Sequence, residues 1–323
     1  MAQFLDLPRE IRDMIYAAVL TSERPRPTLG EEQWLFRFRR IFEPQSSHHG
    51  EYGCAYSLED TPGTCGNLLQ CSRQVNAEMM EAIGRAKRRE LLAVKLDCIA
   101  EDESFHYFTW LSVPLVTTTR SIQEGKSRMP NWADRVMERY LTSPHRVLSS
   151  GCLAYYRSST LIHQLWVDVR LAGDRSAKWF RNSSPPDRTS WAICAALKRI
   201  FEKGPHFSNM KETDHETTVE ELVLNVVPPP NVPQDKFLPE DFPTDGVRDG
   251  LVHPQTVARE LVDVWNKIWA GDDFKGGFYQ MLLERIKRVR ICVNSQTWRV
   301  RELRLELDRG QAERRRIAAR VGW

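Results

Sequence analysis

The sequence predicts a mixed α/β or α+β fold, with a small N-terminal helical module attached to a mixed sheet that has helices packed against it. Three observations carry this expectation. Two amphipathic stretches near the start of the chain, Phe4 to Leu20 and Leu68 to Ile83, read as short helices. From Leu91 onward, segments alternating apolar and polar residues take turns with segments of helical period, the order of an α/β layer. A hydrophobic fraction of 41% with ten tryptophans in 323 residues supplies apolar surface for a packed core and argues against disorder. Residues 1–90 are therefore expected to form the helical module, with a loop-rich insertion at about 21–67. Residues 91–323 are expected to form an α/β domain with a basic C-terminal segment.

In the first stretch, Leu7-Pro8 ends an extended lead-in, because the ring of Pro8 pushes Leu7 away from helical angles while suiting the first helical turn. Asp6 is the expected N-cap, with Arg9 and Glu10 in the first turn. Ile11, Ile15, Ala18 and Val19 then fall on one face, with Met14 beside them. That face is either buried in the chain's own core or partly left open for a partner helix. The second reading makes Leu5, Leu7, Pro8, Ile11 and Ile15 the candidate partner-binding residues. Glu10, Arg12, Arg73 and Glu78 lie near the apolar stripes of the two helices and are candidates for structural ion pairs. Glu10 is expected to meet Arg73 across the bundle.

The stretch LPREIRDMIYAAVL resembles the opening helix of F-box domains, Leu-Pro-x-Glu-Ile followed by an Ile-rich helix. Together with LLQCSRQVNAEMMEAI it resembles the F-box-like proteins of filamentous fungi, in which a Leu-Pro-x-Glu-Ile-Arg helix precedes a Cys-x-Arg-Gln-Val-x-x-Glu helix. One such group is named for a repeated Glu-x-Arg. The matching residues are Leu7, Pro8, Glu10, Ile11, Arg12 and Ile15, then Leu68, Leu69, Cys71, Arg73, Gln74, Val75 and Glu78. The resemblance implies docking to the Skp-type adaptor of a cullin ubiquitin ligase, with the remainder of the chain choosing a client protein. Thr21 to Asn67 separates the two matching helices here, and a surface insertion of that length costs little closure entropy.

The insertion holds Pro25, Pro27, Pro44 and Pro62 and reads mainly as loops, with one short strand expected in Trp34 to Phe42, where Phe36 and Phe38 alternate with Arg37 and Arg39. His48, His49, Cys54, Cys65 and Cys71 are zinc-ligand types, but no Cys-x-x-Cys pair accompanies them, so no metal and no cofactor are assigned. Seven scattered cysteines fit reduced thiols and a cytoplasmic or nuclear location better than a disulfide framework. No signal peptide is expected, and no run approaches the roughly 20 apolar residues of a membrane span.

Downstream, Ala86 to Arg89 is a basic run suited to a helix end. Leu91 to Ala100 alternates as a half-buried strand, and Phe105 to Val116 is β-prone but interrupted by Pro114, which suggests a turn or short edge segment. Its cluster Phe105, Tyr107, Phe108 and Trp110 reads as core packing or as a partner pocket. A loop and one helix carrying Trp132, Val136 and Tyr140 fill Arg120 to Pro144, and Gln164 to Leu171 is the clearest strand. A helix from about Thr189 to Glu202, a strand over Val219 to Val227, a helix from about Pro254 to Trp269, a helix over Phe278 to Lys287 and a strand over Val289 to Val293 complete the layer.

From Gln280 onward the chain holds twelve basic against five acidic residues, although its overall net charge is only +3. Arg314, Arg315 and Arg316 are the possible nucleic-acid contacts. The competing reading is a solvated helix in which Glu302, Glu306, Asp308 and Glu313 pair along the surface. No phosphate-binding glycine loop, H-E-x-x-H or G-x-S-x-G occurs, so no enzymatic activity is assigned. Three classes stay open: a ligase substrate receptor, a nucleic-acid or chromatin-associated protein, and a structural subunit of another assembly.

Overall fold

Leu165, Val167, Val169 and Leu171 all point into one buried layer, as their alternation along the strand requires. The computed structural model describes residues 4–28, 38–40, 54–57, 59, 66–89, 91–102, 105–114, 117–122, 156–173, 188–203, 215–239, 250–270 and 279–309. Among the described residues nine strands form one mixed sheet: β1 (Phe38–Arg40), β2 (Cys54–Ser57), β3 (Val94–Glu101), β4 (Phe105–Ser112), β5 (Thr117–Ile122), β6 (Tyr156–Ala172), β7 (His215–Val227), β8 (Ile286–Val293) and β9 (Gln296–Arg301). Their order is β1-β2-β4-β3-β6-β7-β8-β9, with β5 paired to the first half of β6.

The helices are α1 (Arg9–Thr21), α2 (Gly66–Cys71), α3 (Arg73–Arg88), α4 (Arg188–Lys203), α5 (Pro254–Ala270), α6 (Met281–Arg285) and α7 over 303–309. Strands β3, β6, β7 and β8 are parallel, and α4 and α5 make the crossovers that parallel pairing needs. Both helices lie on one face. Trp191, Leu197 and Phe201 of α4 and Val257, Leu261, Trp265 and Ile268 of α5 pack in one cluster with Leu222, Leu224 and Val226 of β7. Phe108 and Trp110 of β4 join that cluster as core, while Phe105 and Tyr107 of the same aromatic stretch are half-buried. A second cluster belongs to the helical module: Tyr16 and Leu20 of α1 with Val75, Met79, Ala82, Ile83 and Ala86 of α3.

Several elements depart from expectation, each for a local reason. The stretch 68–83 is two helices, because Ser72 leaves helical angles and its hydroxyl accepts the Val75 amide, capping α3. Strand β4 is not a short edge segment but an eight-residue strand between β2 and β3. Pro114 falls two residues beyond it, so its missing N–H removes nothing from the ladder. In the insertion, β1 falls within the strand expected at Trp34 to Phe42, and β2 is a second, unexpected strand; β1 pairs with β2, and β2 with β4. The expected helix at 278–287 is confined to five residues, since Ile286 already pairs with Val219 in β8. Strands β5 and β9 lie outside every stretch read as β. The expected helix carrying Trp132, Val136 and Tyr140 lies outside the described residues, as do Arg314, Arg315 and Arg316.

The sheet face opposite α4 and α5 carries a polar row. Thr109, Asp97, Asp168, Asn225 and Cys292 stand in register across β4, β3, β6, β7 and β8. Burial raises the Asp97 carboxyl above its usual range, opposed by Arg170, whose Nε and Nη2 donate to it at 2.7 and 2.6 Å. Asp168 accepts from Trp166 Nε1 and Asn225 Nδ2, each at 2.7 Å, and from Arg26 Nη2 at 2.6 Å. Arg26 belongs to the segment 22–28 that leaves α1. That segment straps the helical module to the sheet. Glu23 meets Lys95, the Arg24 amide donates to the Leu111 carbonyl at 2.8 Å, and the Pro27 carbonyl accepts from Arg170 at 2.7 Å.

Candidate protein-docking surface

Helix α1 starts without a side-chain cap. Pro8 holds the cap position with φ −51° and ψ 148°, and its carbonyl accepts from the amides of Ile11 and Arg12, each at 3.1 Å. Asp6, the expected cap, sits instead in a preceding 3₁₀ turn, Phe4–Asp6. What fixes this lead-in is Arg12. Its Nη1 donates to the carbonyl of Leu5 at 3.1 Å and to that of Leu7, while Nε and Nη2 each donate to Glu78 of α3 at 2.8 Å. One buried guanidinium therefore ties the entry to α1, and α1 to α3.

Glu78 is saturated by donors. Besides Arg12 it accepts from Tyr16 Oη and from Gln74 Nε2, each at 3.0 Å. The Arg12 hydrogen bonds outweigh the cost of burial and hold the Glu78 carboxyl down at about 2, against an ordinary value of 4.5. Burial pushes the Tyr16 phenol up, reinforced by the same carboxylate. Around this centre lies a wetter rim: Arg9 meets Glu81 at 2.7 Å and Asp13 at 3.1 Å, and Arg85 meets Asp13 at 2.8 Å.

Of the four predicted pairing residues, Arg12 and Glu78 form the ion pair, and the expected Glu10 to Arg73 contact is not the one that builds the bundle. Both Glu10 and Arg73 are exposed. Glu10 precedes Arg12 by two positions and so points to the other side of the helix, away from α3. Tyr16 and Arg9 were missed by sequence reading. The available signal was the spacing of Arg12, Tyr16 and Leu20, one residue in four, which is the stripe α1 buries.

That rotation determines what α1 leaves open. Of the stripe expected to share one face, Ile11 and Ala18 turn outward, Ile15 is half-buried and Val19 packs partly on the module's core. Leu5 is 39% exposed, Ile11 41% and Met14 67%, with Pro8 and Ala18 also exposed and Leu7 and Ile15 half-buried. All five candidate partner-binding residues thus keep accessible surface along the entry and outer face of α1. Phe4 turns inward from the same lead-in, its ring edge-on to Tyr16 at 5.7 Å.

The cysteine and histidine set of the insertion is not assembled by the described residues. Cys54 is buried in β2 and Cys71 is exposed at the end of α2, while His48, His49 and Cys65 lie outside the described residues. No helix among the described residues is long and apolar enough to cross a membrane. No protein-family profile, no curated protein and no solved structure matches the chain.

Proposed function

We propose that this chain is a protein-interaction module, an F-box-like substrate receptor that docks a Skp-type adaptor of a cullin ubiquitin ligase through Leu5, Leu7, Pro8, Ile11 and Ile15. The observation that supports the reading is the uncovered apolar strip itself. Its side chains stay open although the neighbouring Tyr16, Leu20 and Met79 are enclosed, and the Arg12 and Glu78 pair holds their backbone in place. A rigid apolar strip on a helix entry suits a partner helix laid against it. The sheet domain then presents the client. This reading places the protein in the cytoplasm or the nucleus, where such ligases act.

The test is copurification of the full-length chain with the adaptor. Wild type is expected to retain it, and Leu7→Glu, Pro8→Glu and Ile11→Glu are each expected to lose it, the last two without a change in thermal stability because Pro8 and Ile11 already face solvent. A wild-type chain that leaves the adaptor unbound removes the reading, and so does full retention by all three variants.

A further inference from the structure

The far edge of the sheet offers a second surface, independent of the adaptor reading. Strand β9 ends the sheet order, and among the described residues no strand pairs with its outer edge. Five of its six residues are exposed, including Trp298 at 40% and Val300 at 48%. A solvent-facing tryptophan on an open strand edge is the kind of feature that proteins ordinarily blunt or cover.

The edge is also preformed. Asn294 and Ser295 take positive φ values of 48° and 64°, the two-residue turn whose twist suits a hairpin. The turn is bolted to β7. The Asn294 amide donates to the Val226 carbonyl at 2.9 Å, and the Ser295 amide to Asn225 Oδ1 at 2.7 Å. A partner strand would therefore meet an edge that needs no ordering on binding.

Charge selects the partner. Residues 286–309 hold seven Lys and Arg against three Asp and Glu. Arg301 is held by Glu306 and Asn266, and Arg290 by Glu221, whereas Arg299 and Arg304 have no ion-pair partner among the described residues. The two faces of the edge differ. Val300 pairs with Arg290 on the face opposite the helices, and Arg299 and Arg301 pair with Ile291 and Val289 on the helix side, while Trp298 is the extra residue of a bulge between Arg299 and Thr297. The chain's own residues 310–323 carry four arginines and a single acid, the wrong charge for this surface.

The geometry points to β9 as a docking edge for an extended acidic segment of a partner protein, one that adds as a further strand. Its residues are apolar where they meet Trp298 and Val300 and acidic where they meet Arg299, the cation of the strand that has no ion-pair partner among the described residues. The probe is a labelled peptide alternating Glu with Val, followed by fluorescence anisotropy on the full-length chain and by amide exchange across β9. Saturable binding is expected, with slowed exchange over 296–301. Arg299→Glu and Trp298→Ala should each weaken binding by at least about tenfold, the size of a hot-spot loss. Both side chains are substantially exposed, so thermal melts should match wild type, and the Val300→Thr variant gives a milder check should either fail to fold. The assignment is overturned by absent binding, by equal binding of the peptide with Lys in place of Glu, or by protection appearing elsewhere. A Trp298-dependent dimer in sedimentation would give the edge to a second copy and overturn it equally.

Discussion

Arg12 and Glu78 stand 66 residues apart in sequence and meet through two N–H···O bonds of 2.8 Å, a fork-to-carboxylate contact buried between two helices. The Glu78 pKa is depressed to about 2 from 4.5, so the sign of the linkage is fixed: the pair stabilises fully above pH 4.5 and its contribution fades as pH falls toward 2. Thermal melts from pH 7 downward should therefore show wild type well above Glu78→Gln at neutral pH, with the gap closing below pH 4.5. A gap that stays constant through that window would mean that the pair does not titrate as its contacts require.

Tyr16 is wholly buried, and its hydroxyl reaches the same carboxylate at 3.0 Å. Tyr16→Phe keeps the ring and its contact with Phe4 but leaves Glu78 one donor short, so a loss of about 1.5 kcal/mol is expected in urea unfolding. Met79→Ala empties the middle of the same small core and should cost about 2–5 kcal/mol. Glu10→Lys, by contrast, should change stability by no more than about 0.5 kcal/mol, because its side chain faces water.

The elements legible in the sequence were those whose side chains meet two different environments. The inward residues of β6, Leu165 to Leu171, and of α5, Val257 to Ile268, recur with the period of their element because one side is core. Strand β5, TTTRSI, lacks such a pattern, and β9, QTWRVR, alternates only over Trp298 to Arg301, at the sheet edge, where five of its six residues are exposed and neither side is core. Helix α1 misled for another reason. Its buried stripe contains a charged residue, Arg12, which hydropathy assigns to water; only a carboxylate from a distant helix makes its burial tolerable. The register of two helices is not a local property: the spacing of Arg12, Tyr16 and Leu20 offers the stripe within α1, but that Glu78 is the partner of Arg12 is decided by the packing of α3.

Gly173 ends β6 with φ +74°, and a β-carbon there would lie 2.0 Å from Oδ1 of Asp102. Two penalties coincide, a left-handed backbone and a clash. Gly173→Ala should destabilise by about 1–3 kcal/mol. Adding Asp102→Ala should recover the steric part alone, which a four-variant cycle of chemical unfolding resolves.

The strap makes the last prediction, because it decides whether the helical module and the sheet move as one body. Arg26 is nearly half exposed and yet reaches Asp168, which is almost fully buried and also bound by Trp166 and Asn225. Solvent screening keeps the worth of Arg26 small, so Arg26→Ala should cost only about 1 kcal/mol of global stability. Its local effect should be larger. With the Asp168 contact gone, the segment 22–28 keeps the Glu23 pair with Lys95, the Arg24 amide bond to Leu111 and the Pro27 carbonyl bond to Arg170. Amide exchange should then rise over 22–28 while β6 and β7 stay protected. Asp168→Ala removes the acceptor of three donors at once and should be felt through the sheet, at about 3 kcal/mol. If Arg26→Ala leaves exchange in the strap unchanged, the remaining contacts hold it, and the module's orientation does not depend on this charge.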